Sequence, residues 1–115
     1  MAYLISTTDS ESVLVLLGDT EWQKHILVRH PEVAGFLDDI IHTIQNPSVK
    51  HQDPEDDRVV LHYGSIEQER RLHPKLAYLL VVIKYVQAPE RAFQKTGFVS
   101  SVYFLKDIKK RGEPI

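Results

Sequence analysis

The sequence predicts an α+β fold with a mostly antiparallel sheet. Two observations carry this. Helical apolar spacing is confined to the first half of the chain, and strand-type runs dominate the second. Elements segregated in this way pack as helices on one side of an antiparallel sheet, whereas alternating elements build a parallel one. The 115 residues amount to one domain. With 43% hydrophobic and 26% charged side chains, the chain is apolar enough to build a core without a disulfide or metal staple.

Taken in order, residues 12–18 (SVLVLLG) are short and apolar. They read either as a first strand ended by Gly18 or as the lead-in to a helix. Asp19, Thr20 and Glu21 then offer side-chain oxygens to the free N–H groups of a first turn. Trp22 and Ile26, followed by Arg29 or Val33, recur at spacings of three and four and predict a short helix over 21–29. Pro31 stops it, because the residue before proline is driven out of the α region. Pro31 also suits the first turn of a second helix. Phe36, Leu37, Ile40, Ile41 and Ile44 form the apolar stripe of that helix, which Asn46-Pro47 ends.

Residues 51–57 (HQDPEDD) read as an acidic turn, and 59–63 as a strand. The best strand is 79–86 (LLVVIKYV), apolar on both faces over most of its length and therefore central in the sheet. Ala88-Pro89 closes it. Residues 98–105 (FVSSVYFL) form another strand, and 106–111 a short basic tail with room for one helical turn. Residues 64–75 fit either a continued hairpin or a basic loop.

Composition and motifs exclude several functions. The chain has no cysteine, so disulfides and thiolate chemistry are absent. The apolar run 79–83 is far short of the roughly 20 residues a membrane helix needs. The first residues lack a basic segment followed by an apolar stretch, so no signal peptide is expected and the cytoplasm is the default. No Gly-rich phosphate loop, G-x-S-x-G elbow, H-E-x-x-H pair or EF-hand loop occurs; no cofactor and no metal are expected. Charge is uneven. Residues 1–57 carry 3 basic and 11 acidic side chains, residues 58–115 carry 11 basic and 5 acidic ones. A basic half can grip a polyanion, although charge runs also serve simply as solvated faces.

Three places carry candidate chemistry. His25 and Arg29 stand four apart, hence on one helix face, where they would put an acid–base group beside a phosphate clamp. The plainer reading makes His25 a surface histidine and His30-Pro31 a joint between helices. Lys84 is a lone cation in an apolar strand, on the face of Leu80, Val82 and Val86. It either snorkels at a strand end or faces a wet cleft. Ser100 and Ser101 must point to opposite faces. Strict alternation puts Ser101 and Tyr103 outward with Val99 and Leu105. It puts Ser100 on the helix side with Phe98, Val102 and Phe104. Two outward hydroxyls suit a phosphate or ribose.

The order of these motifs is W-x-x-H-I-x-x-x-H-P-E (Trp22, His25, Ile26, His30, Pro31, Glu32), then an amphipathic helix, then V-V-I-K-Y (81–85), then F-V-S-S-V-Y-F (98–104) before a basic tail. Over about residues 20–112 this resembles the phage-type members of the barnase–EndoU–colicin–RelE superfamily of metal-independent ribonucleases. The resemblance implies two N-terminal helices packed on a four-stranded, mostly antiparallel sheet. It also implies RNA cleavage of the toxin type. By position, His25 matches the helix histidine and Lys84 the strand lysine. Ser101 matches the hydroxyl residue of the last strand, with Tyr103 two residues on.

In that chemistry the ribose 2′-hydroxyl attacks the adjacent phosphate and leaves a 2′,3′-cyclic phosphate. His25 would move the proton, and Arg29 and Lys84 would neutralise the phosphorane. Ser101 and Tyr103 would fix phosphate and ribose. His30, Arg70, Arg71, Lys109, Lys110 and Arg111 would hold the RNA backbone. The partners expected are RNA and an acidic antitoxin or immunity protein, with the chain a monomer or homodimer and no membrane involved. Two other readings stand beside this one: a non-catalytic RNA- or protein-binding domain on the same fold, and an interaction domain that meets no nucleic acid.

Overall fold

A computed structural model describes residues 2–88, 91–108 and 114–115, with backbone alone at 88 and 91–93. Six strands form one sheet: β1 (Tyr3–Thr8), β2 (Leu14–Gly18), β3 (Val49–Gln52), β4 (Val59–Ser65), β5 (Tyr78–Ala88) and β6 (Arg91–Leu105). Their spatial order is β1-β2-β6-β5-β4-β3. Neighbours run antiparallel except β2 and β6, which are parallel through Val15 opposite Gly97 and Leu16 opposite Phe98. Among the described residues no helix is long and apolar enough to cross a membrane.

This corrects the expected architecture. The sheet has six strands rather than four and is mixed rather than antiparallel, and the helices are short. The first, α1 (residues 19–29), has α-helical ends, Asp19–Glu21 and Leu27–Arg29, around a π-helical centre, Trp22–Ile26. The second does not begin at Pro31. Pro31–Val33 makes a single tight 3₁₀ turn, Gly35 and Phe36 break the path, and α2 spans only Leu37–Gln45.

The additional strands escaped the sequence reading for a physical reason. β1 and β3 lie at the two edges of the sheet, where half their side chains stay wet and no continuous apolar run is needed. β3 reads V-K-H-Q, and only His51 of its four residues is buried. The acidic turn expected over 51–57 is shorter than that: His51 and Gln52 belong to β3, and the turn begins at Asp53. β5, by contrast, is central between β4 and β6, as its unbroken apolar run predicts.

One main core lies between the sheet and the helices. Trp22 and Ile26 of α1, Ile40 and Ile44 of α2, and Val81, Ile83 and Val102 of the sheet are all buried in it. The inward stripe predicted for Trp22 and Ile26 is therefore present. α2 lies so close to β4 that a Cβ on Gly64 would collide with Thr43, so only glycine fits there. The opposite face carries a smaller cluster, Leu61, Tyr63 and Leu80, with Leu105 and Ile108 packed against it.

Candidate active site beside the last strand

The face opposite the main core carries Lys84, Ser101 and Tyr103. Along β5, Leu79, Val81 and Ile83 point into the core, so alternation turns Leu80, Val82 and Lys84 to the other side. Phe98, opposite Lys84 in the register, shares that face, as do Ser101 opposite Val82 and Tyr103 opposite Leu80. The pairing skips Ser100, which is the extra residue of a bulge. Its hydroxyl donates to the Val82 carbonyl at 3.3 Å.

The bulge corrects the strict alternation expected for β6. Val99, not Phe98, joins Val102 in the core, and Phe98 is left 40% exposed beside Lys84. Ser101 and Tyr103 do look away from the helices, but without Val99.

β2 pairs with β6 only near residues 97 and 98. Beyond that point the chain leaves β2 at Gly18 and continues as α1 alongside the rest of β6. The flank is anchored at both ends. Near its start, Thr20 and Glu21 line a cavity of about 410 Å³ together with Lys84, Phe98, Val99 and Ser100. Just past its end, the His30 ring stacks on Tyr103 with centroids 5.1 Å apart and planes at 26°. His25, its Nε2 4.0 Å from the Glu21 carboxylate, and Arg29 lie on α1 between these two anchors. Both are exposed.

The expected site residues divide. Lys84 lines the cavity at the start of α1, His30 meets Tyr103 past its end, Ser101 shares the face of Lys84 and Tyr103, and His25 and Arg29 are exposed residues of α1. Arg70 and Arg71 are engaged elsewhere. The Arg70 guanidinium pairs with Asp39 and lies 5.0 Å over the Phe36 ring, beside α2. Arg71 donates to the carbonyls of Ile66 and Pro74. Their expected role as backbone contacts competes with these bonds. Lys109, Lys110 and Arg111 lie outside the described residues.

Glu21, Thr20 and Phe98 line the cavity and were not among the expected site residues; Thr20 and Glu21 were read only as capping groups, whereas the cap is Gly18, without a side-chain bond. The signal for Glu21 was its i,i+4 spacing to His25, a carboxylate one turn before the histidine. For Phe98 there was no signal, because its orientation depends on the bulge at Ser100.

A second cavity, about 540 Å³, opens on the core side at one end of the sheet. It is lined by Asp9, Lys50, Arg58, Tyr85 and Lys95, among others. Its wall is a chain of hydrogen bonds. The Tyr85 hydroxyl donates to Asp9 Oδ2 at 2.7 Å and lies 3.4 Å from His62 Nε2. Asp9 Oδ1 accepts from the N–H groups of Glu11 and Val13, both at 2.9 Å, and so closes the β1–β2 turn. Burial alone would raise the Asp9 carboxyl. The bonds from Tyr85, Val13 and Glu11, with the Lys50 charge, outweigh it and hold the carboxyl below the ordinary aspartate value. Burial pushes the His62 imidazole down to about 4 and the Tyr85 phenol up. Asp9 has each oxygen engaged and Tyr85 gives its proton to it, so this network serves the fold.

Comparison of the chain with protein-family models, curated proteins and solved structures finds no match. Function rests on the groove itself.

Proposed function

We propose that the protein is a metal-independent endoribonuclease of the toxin type. It cleaves RNA by attack of the 2′-hydroxyl on the neighbouring phosphate and leaves a 2′,3′-cyclic phosphate and a 5′-hydroxyl. One observation supports the reading: Glu21 and Lys84 line one cavity at the start of α1, and His30 stacks on Tyr103 past its end, so the helix that carries His25 and Arg29 runs beside the strand that carries Ser101 and Tyr103. The motif order described above adds support. The six-stranded mixed sheet is not the fold that resemblance implies, so the reading depends on the groove and not on fold likeness.

In this reading His25 takes and returns the proton, because imidazole does both near neutrality. Glu21, one turn away, orients the ring from 4.0 Å. Lys84 and Arg29 neutralise the charge that builds on the phosphorane oxygens. The Ser101 hydroxyl and the Tyr103 phenol hold phosphate and ribose by hydrogen bonds, and His30 fixes the Tyr103 ring by stacking. The substrate is RNA in the cytoplasm, and an acidic inhibitor protein would cover the cationic groove. Lys84→Ala should lower the cleavage rate by 10²-fold or more and leave the fold intact, because the ammonium acts on the transition state. Release of cyclic-phosphate ends, read by mass spectrometry of a defined oligoribonucleotide, checks the product chemistry. Ends bearing a 5′-phosphate would refute it.

A further inference from the structure

We propose that the cavity at the Val60 end of the sheet, about 540 Å³, binds a free α-amino acid with an apolar side chain. It opens on the core side of the sheet, away from Lys84, Ser101 and Tyr103, and does not depend on the nuclease reading.

The sequence leaves this end of the sheet open. α2 packs on β4 at Gly64, and among the described residues no helix residue lines the cavity. Gly97 stands opposite Tyr85, and a Cβ there would come within 3.0 Å of the ring. Glycine therefore lets the phenol lie against β6, with Lys95 Nζ 5.4 Å from its centroid. The Tyr85 ring and Val60 give the cavity apolar surface, and its size is within the range of small-molecule sites.

Lys50 points to the ligand. Its side chain is only 14% exposed, yet its one ion pair among the described residues is a 3.5 Å contact with Glu11, whose side chain is 67% exposed. Asp9 also feels the Lys50 charge, but Tyr85 and two backbone N–H groups occupy both of its oxygens. An ammonium carries three donors, and a buried one left short of acceptors is costly. A ligand carboxylate supplies what is missing.

The cavity also presents carboxylates, Glu11 beside Lys50 and Asp57 near Arg58. A purely anionic ligand meets these, and a purely cationic one meets Lys50 and Lys95. A ligand of both signs matches the lining. In an α-amino acid the two charges flank one carbon, and Lys50 and Glu11 stand comparably close. The α-carboxylate meets Lys50, the α-ammonium meets Glu11, and the side chain rests on Val60 and the Tyr85 ring.

The test is titration of the intact protein with L-leucine, followed by amide NMR. Isocaproate, which lacks the ammonium, and isoamylamine, which lacks the carboxylate, are titrated beside it. Leucine should shift the amides of Glu11, Lys50 and Val60. It should bind on the order of tenfold tighter than either analogue, the worth of one charge-assisted bond. Lys50→Met should weaken leucine and isocaproate together. Glu11→Gln should weaken leucine and leave isocaproate as it was; Glu11 is exposed, so this variant decides the matter even where Lys50→Met fails to fold. Leucine that shifts none of these amides, isocaproate that binds as tightly as leucine, or leucine binding unmoved by Glu11→Gln overturns the proposal.

Discussion

At the scale of single residues, His62 gives the sharpest prediction. It is fully buried, and its neighbours are a carbonyl and a phenol rather than a carboxylate in contact. Burial therefore keeps it neutral, with a pKa near 4 instead of the ordinary value. The unfolded chain takes up a proton at this position near pH 6.5, and the folded chain does so only near 4. Between those values the unfolded state binds more protons, so stability falls as pH falls. The slope approaches about 1.4 kcal/mol per pH unit for one proton. Asp9 has the opposite history. Its folded value is depressed, so its contribution is complete above the ordinary carboxylate range and is lost only at lower pH. Urea unfolding at pH 7.0, 5.5 and 4.5 should show the loss, and His62→Phe should flatten the profile. A wild-type stability that does not change from pH 6.5 to 4.5 would mean that His62 is not held neutral. None of this network was legible in the sequence, because Asp9 and Tyr85 are 76 residues apart and meet only through the sheet.

At the scale of elements, the contact between α2 and β4 is the tightest joint. Thr43 packs on Gly64, and its hydroxyl donates to the Asp39 carbonyl at 2.8 Å, which fixes its rotamer. Gly64→Ala should destabilise the protein by about 1–3 kcal/mol, the ordinary cost of overpacking. Thr43→Ala should recover part of that loss in the double variant, measured by thermal unfolding, because it removes the hydroxyl and methyl that the new Cβ meets. Strictly additive losses would show that the two residues do not touch.

Legibility at this scale follows burial. β5 was readable because a central strand must be apolar on both faces, and 79–83 is an unbroken apolar run. Trp22 and Ile26 were readable because a helix edge facing a core repeats every three or four residues. β1 and β3 were not, because edge strands need only a few apolar positions. The bulge at Ser100 was not readable either. Strict alternation turned Ser101 and Tyr103 the right way but exchanged Val99 and Phe98. The π-helical centre of α1 likewise left no mark in the apolar spacing, yet it holds His25. Such turns recur at functional sites in helices.

At the scale of the whole molecule, the acidic first half and the basic second half are in contact. Arg70 of the basic half meets Asp39 of the acidic half across α2. Among the described residues, the candidate site offers a polyanion Lys84, Arg29, His25 and His30. A small cationic site predicts RNA binding whose affinity falls only gently with salt, since few phosphates are neutralised.

The measurement that tests the central claim most directly is incubation of the purified protein with total RNA in excess EDTA, beside His25→Ala. The account predicts cleavage that survives EDTA in the wild type and drops by roughly 10²–10⁴-fold in the variant, the range of a lost acid–base group. RNA left intact by both proteins, or cut equally by both, would contradict it.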